Sequence, residues 1–396
     1  MASQGENSVK KVHLPPPKLP RWSQSWSKKM QGAIAELSVS HSGEVVLAAT
    51  IPDLDLQGAV KTPLLIRLGQ NGHVDWQTQL KSPVKEMDLS ADGSLAVTVT
   101  YDHLLQAYSP KGQVLWSVPA LCKPIILNGP KKILCYHDDD AEPKIAFDVF
   151  DWKGKKLLSY PIEGDIFTLK ISSDEKWVLL GLSHGEVALL NSEFQLVRTQ
   201  QLEGEVIDVA LASSAEGSKT LGDPSHGMEP RGLSGTGAHF AVLYRDTEKN
   251  QKITLFNSSG GVMGTVSPTF KAQQLEMSWD GLSIYYYGNT SQGQWAGGMK
   301  APFKKESWRR GEHDSSDYSA PIHVFAHGIW MGYEKQAEQQ RESHILALNA
   351  QGDVSWDISI PKSPEAYIYT HRPVSSPSGI VVATDDGRLS FFRLMN

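Results

Sequence analysis

Short runs of alternating apolar and polar residues fill nearly the whole chain, and each run stops at Gly, Pro, Asn, Asp or Ser. "VKEMDLS" (84–90), "SLAVTVT" (94–100), "LLQAYS" (104–109) and "QVLWSV" (113–118) form one such series, broken by "ADG" (91–93) and "PKG" (110–112). A two-residue period predicts half-buried strands, and the breaks predict turns. No segment of ten or more residues keeps a helical period. The expectation is an all-β protein.

The series repeats. Trp26 is followed by Ser40 and Gly43, and Trp76 by Ser90 and Gly93, at the same spacings and with a matching run between. Gly followed by Trp four residues later occurs at Gly72 and Trp76, Gly112 and Trp116, and Gly352 and Trp356. Cuts before each inner strand fall near residues 33, 83, 120, 164, 204, 270, 320 and 364, which makes eight units of four strands. Repeats of about 40 to 50 residues indicate a β-propeller. Seven blades is the alternative, because the sixth unit degenerates after Tyr287. The last unit ends after three strands, while "RWSQSW" (21–26) has the Trp of an outer strand and no unit before it. Residues 21–28 are therefore expected to complete the last blade and close the ring. The expected organisation is a polar, Pro-rich, disordered lead over 1–20 and a single propeller over 21–396. Such a lead suits a tether to an N-terminal lipid; a frayed terminus accounts for it equally.

"ATDDGRLSFF" (383–392) and the Gly-x-x-x-Trp turns resemble the repeats of quinoprotein-type (pyrroloquinoline quinone-like repeat) propellers. Within that family the chain is similar to the eight-bladed, non-catalytic lipoproteins of bacterial outer-membrane assembly. The resemblance extends from residue 21 but is weak within each unit. WD-repeat propellers are a second resemblance, although their Gly-His and Trp-Asp signatures do not recur. The quinone-dependent enzymes hold their cofactor with adjacent paired cysteines, which this chain lacks, so no cofactor is expected. The repeated Trp residues are read as packing between blades.

The two cysteines flank an Asn-Gly pair, a strong hairpin signal. A two-residue turn at Asn128 and Gly129 would place Cys122 opposite Cys135, at a Cα separation of about 4.5 Å, within reach of a disulfide. Pro130 argues against so tight a turn; a four-residue turn is expected to keep the same pairing. Two buried thiols are the alternative. A disulfide would imply an oxidising compartment.

The candidate binding residues are polar groups at turns. "HDDDAE" (137–142) supplies His137, Asp138, Asp139 and Asp140, which could take a hard cation such as calcium, although the spacing matches no calcium loop and a solvated turn explains it as well. Asp102 and His103, His184, and Asp385 and Asp386 occupy the same turn in other units. Together with "EGD" (163–165) and "EGE" (203–205) they should give one end of the ring an acidic cast. His323 and His327 share one side of a strand that, if innermost, faces the central channel.

The net charge is −6, which argues against a nucleic-acid partner, and no apolar stretch reaches the length of a membrane span. "MASQGENSVKK" has no signal-peptide core, although a chain whose leader had been removed would begin the same way. No catalytic motif is recognised. The expected function is a non-catalytic, monomeric protein-binding scaffold of the bacterial envelope with a basic partner. A quinoprotein-like oxidoreductase, a polysaccharide-lyase-type propeller enzyme and a cytoplasmic WD-type scaffold are the alternatives.

Overall fold

A computed structural model describes residues 21–395, except 52–61, 138–144, 163–164, 214–237, 258, 279–280, 282, 291–292, 301–302, 304, 313–322, 326–327, 338–339, 361–373, 377–378 and 385–386. The described residues form eight four-stranded antiparallel sheets. The protein is an eight-bladed β-propeller. The innermost strands of blades one to eight are Ile34–Val39, Val84–Leu89, Lys123–Leu127, Ile166–Ile171, Gly204–Ser213, Gln274–Met277, His323–Phe325 and Val374–Ser376. Blade six is complete, with further strands Ser283–Thr290, Gly293–Lys300 and Trp308–Glu312. Seven blades is thereby ruled out.

Closure is as expected. Strand Arg21–Lys29 pairs antiparallel with Arg388–Met395 and becomes the outermost strand of blade eight. The core lies between the faces of adjacent blades. Leu47 and Leu65 of blade one, for example, pack with Val84, Leu89 and Tyr108 of blade two.

The turns explain the repeat. Between the third and fourth strands of blades one to seven, the residues at 72, 112, 154, 194, 260, 303 and 352 all have positive φ. Each donates its amide to the carbonyl three residues earlier. Five are Gly, which takes this backbone without strain; the other two are Phe194 and Phe303. The Trp four residues later does not pack on its own turn. It reaches the turn of the next blade: a Cβ on Gly72 would lie 2.8 Å from the Trp26 ring, one on Gly112 2.8 Å from Trp76, and one on Gly352 2.4 Å from Trp308. The indole nitrogens of Trp76 and Trp308 also donate to that next turn, at the carbonyls of Pro110 (3.0 Å) and Ala350 (3.1 Å). At the same end of the ring, Ser40, Ser90, Ser172 and Ser278 each accept, through the hydroxyl, the amide five residues on, which fixes the first turn of blades one, two, four and six.

One expectation is corrected. In blade three, Leu127 pairs with Lys132 and Pro124 with Cys135. The turn has four residues, 128–131, with Lys131 in the left-handed region. That length moves the register by two, so Cys135 does not face Cys122, and a four-residue turn does not keep the tight-turn pairing. Cys122 sits just before the strand and reaches Cys135 diagonally, and the two form a disulfide with a Cα separation of 5.3 Å. Asn128 serves a different purpose from a tight turn. It accepts the Ala91 amide of blade two at 2.7 Å and donates to Glu175 of blade four at 2.9 Å, tying three neighbouring turns together.

Candidate binding face

In blades two, four and eight the turn between strands two and three lies beside the connection that enters or leaves the blade. Ala120 donates to the His103 carbonyl (2.9 Å), Leu202 to Gly185 (3.0 Å) and Met30 to Gly387 (2.7 Å). These turns and connections therefore share one end of the ring, called here the loop face. The first and third turns, with the Trp–Gly contacts, form the opposite end.

Asp102, His103 and His184 are exposed on the loop face. His103 has φ of 62° and stands where blades four and eight use Gly185 and Gly387, so its backbone accounts for its position. Asp102 accepts from Thr100 Oγ1 at 2.5 Å, and His184 Nε2 lies 3.0 Å from Glu186. His137 is half-buried, with Nδ1 3.1 Å from the Leu121 carbonyl and Nε2 3.3 Å from Asp148. Asp148 also receives Lys156 Nζ at 2.8 Å and the Ser159 hydroxyl at 2.5 Å. Burial disfavours its ionised form, but Lys156 and Ser159 outweigh that and hold its carboxyl below the ordinary value. The candidates thus occupy three successive blades at one end, each bonded within its own blade or the connection into it. His323 stands opposite Trp330 in the innermost strand pair of blade seven. Asp138, Asp139, Asp140, His327, Asp385 and Asp386 lie outside the described residues, as does the calcium idea that rests on 138–142. Among the described residues no group of three or more His, Cys, Asp or Glu is gathered as metal ligands would be.

The charge of this face is mixed. Asp102, Asp165 and Glu203 are exposed, but so are Lys81 and Lys249, and half-buried Lys123 approaches Glu86 at 4.0 Å. The expected acidic cast is therefore tempered by interleaved lysines. The alternating pattern hid them because they fall at strand ends and in turns.

Three apolar residues escaped the sequence reading. Tyr101 is 61% exposed, Phe167 48% and Ile51 41%. All lie at the loop-face ends of strands in blades one, two and four. Phe167 occupies a β-bulge in its inner strand, where the ladder steps from Ile166 to Thr168. The extra residue turns its ring outward, which a strict two-residue period would not show.

The channel wall carries two bridging carboxylates. Asp88 accepts the amides of Leu89 (2.8 Å) and Ile126 (2.7 Å) and the Ser38 hydroxyl (3.2 Å), joining blades one, two and three. Asp208 accepts the amides of Val209 (2.9 Å) and Leu275 (2.8 Å) and the Thr168 hydroxyl (2.7 Å), joining blades four, five and six. Burial raises both carboxyls, that of Asp88 to about 6. Lys170 and Glu276 meet at 2.7 Å across blade five. No sequence spacing announces the contacts between blades, because each of those joins residues 38 or more positions apart.

No family model and no curated protein sequence matches the chain. Solved structures resemble it in fold. BamB from Moraxella catarrhalis is 12% identical, with a TM-score of 0.61, over 94% of this chain and 100% of that one. The Dos1 propeller is 10% identical, with a TM-score of 0.63, over 94% and 95% of the two chains. Sqt1 from Chaetomium thermophilum is 9% identical, with a TM-score of 0.63, over 95% and 100%. At these identities the likeness establishes the β-propeller fold.

Proposed function

We propose that the ring is a non-catalytic protein-binding scaffold whose partner docks on the loop face. The observation that carries this is the exposure of Tyr101, Phe167 and Ile51 at one end of a closed ring, among charges of both signs. Large apolar groups rimmed by polar ones mark recognition surfaces, and aromatic residues are enriched in them. A partner segment with apolar anchors flanked by basic residues suits Asp102, Asp165 and Glu203. The Cys122–Cys135 disulfide favours an oxidising compartment and supports a role in the bacterial envelope, with the polar lead as a tether to a lipid.

Site-specific photocrosslinking in cells tests the reading. A crosslinker at position 101 or 167 should capture one protein partner that a crosslinker at 176, on the opposite end, does not. Tyr101→Ser combined with Phe167→Ser should abolish that capture in the folded protein. Equal capture from all three positions, or full capture by the double variant, removes the loop face as the docking surface.

A further inference from the structure

The outermost strands differ around the ring. Each of those in blades one to five, seven and eight carries a β-bulge, and the bulged residue is exposed except at Met263 of blade five, which packs against the core, and at half-buried Ser355 of blade seven. In blades one, seven and eight it is Asp75, Ser355 and Ser25. In blades two, three and four it is Leu115, Leu157 and Val197. Their neighbours Val114 and Leu196, and Val262 of blade five, extend the same feature. All six aliphatic side chains are between 48% and 63% exposed. This position is thus apolar and exposed in three blades and polar in three others, so the feature does not follow from the fold.

Lysines accompany it. Lys111, Lys153 and Lys155 are exposed in the turns leading into the outer strands of blades two and three. Lys131, exposed in the first turn of blade three, lies over the Trp152 ring at 5.7 Å. This end of the ring also holds Arg21, where strand Arg21–Lys29 enters blade eight opposite Met395.

From this pattern we propose that the rim of blades two to five, on the end opposite the loop face, docks on an anionic lipid surface. Aliphatic side chains beside lysines match an interface of acyl chains and negative headgroups. Strand addition by a protein partner is disfavoured on these edges. Their ladders shift between Tyr108 and Ala107, Phe150 and Val149, Leu190 and Leu189, and Phe256 and Leu255, where an added strand would need regular pairing. A lipid surface requires no ladder. The lipid and the loop-face partner would occupy opposite ends, so the two proposals stand independently.

Co-sedimentation of the full, unlipidated chain with vesicles tests this. Binding is expected to vesicles of phosphatidylethanolamine with phosphatidylglycerol, to fall with added salt, and to be weak on phosphatidylcholine. Leu115→Ser with Val197→Ser should weaken it by about tenfold or more. Lys111→Glu with Lys153→Glu should remove the salt dependence, and Asp75→Asn should change little. These sites are exposed, so the variants fold. Absence of binding to anionic vesicles, or binding unchanged in the Leu115/Val197 variant, overturns the proposal. If vesicles fail and a crosslinker at 115 captures a protein, the rim belongs to that protein instead.

Discussion

The indole of Trp116 fills the space that a Cβ on Gly154 would need: the added atom would lie 2.6 Å from the ring. Trp116 belongs to blade two and Gly154 to blade three, and the indole nitrogen donates to the Trp152 carbonyl in the same turn at 2.8 Å. One contact therefore joins packing, a backbone requirement and a hydrogen bond across a blade boundary. Gly154→Ala should lose about 2 kcal/mol or more, from a left-handed backbone and a displaced ring. Trp116→Ala should lose about 3 kcal/mol, toward the low end for a large aromatic because the ring is half-buried. Gly129→Ala, whose added Cβ would meet Glu175 at 3.4 Å, is the mild control. Denaturant midpoints of the three variants check the ordering.

The same contact explains what could be read in advance. Eight units were legible because short alternating strands and Gly-, Asn- or Asp-bearing turns recur along most of the chain. The Trp signature fades in blades three to five because the position holds Leu158, Arg198 and Gly264. Leu158 packs in the cluster containing Phe194, the Arg198 stem lies on Gly260, and Gly264 faces the Phe303 carbonyl. Volume is conserved across the boundary while the residue type is not, and a pattern search within one unit cannot see its neighbour. The cysteine register was missed for a related reason. Asn128 and Gly129 suggested a tight turn, while Asn128 is held by Ala91 and Glu175, which lie 37 and 47 residues away. The candidate site was legible as turns, but Phe167 depended on a bulge, and one extra residue reverses which side chains face out.

Ring closure depends on strand Arg21–Lys29. Removing residues 1–28 should expose the edge of Arg388–Met395 and strip Trp26 from Phe391, with which it stacks at a 6.0 Å centroid distance. Aggregation and a lower melting temperature are expected, whereas removal of 1–18 should leave both unchanged. Light scattering during thermal unfolding distinguishes the two; similar behaviour would contradict the role of the closing strand.

Reduction should cost stability. The Cys122–Cys135 link spans 13 residues of sequence separation. The chain-entropy model gives about 3 kcal/mol for a loop near this size. Urea unfolding with and without reductant should differ by that order, and the paired variant Cys122→Ser with Cys135→Ser should match the reduced protein and ignore reductant. A midpoint insensitive to reductant would show that the link contributes nothing.

Asp88 sets a pH dependence with a definite sign. Its carboxyl is pushed up to about 6 from an ordinary 3.8, chiefly by burial and against the amides of Ile126 and Leu89. Between about pH 4 and 6 the folded chain keeps a proton that the unfolded chain has lost, so this group's contribution to stability falls as pH rises through that window. Asp208 is raised for the same first cause and acts in the same direction. Asp92 and Asp148 are held below the ordinary value, so their contribution is lost only on further acidification, below about pH 4. The two sets act in separate ranges. Urea midpoints should therefore rise from pH 7 to a maximum near about pH 4.5 and fall below it. Asp88→Asn removes the titration but turns its NH2 group toward a donor, either the Ile126 amide or the Leu89 amide and Ser38 hydroxyl, so its midpoint should be lower overall and flatter between those pH values. A variant whose midpoint keeps the wild-type slope from pH 7 to 4.5 would show that Asp88 does not carry this dependence.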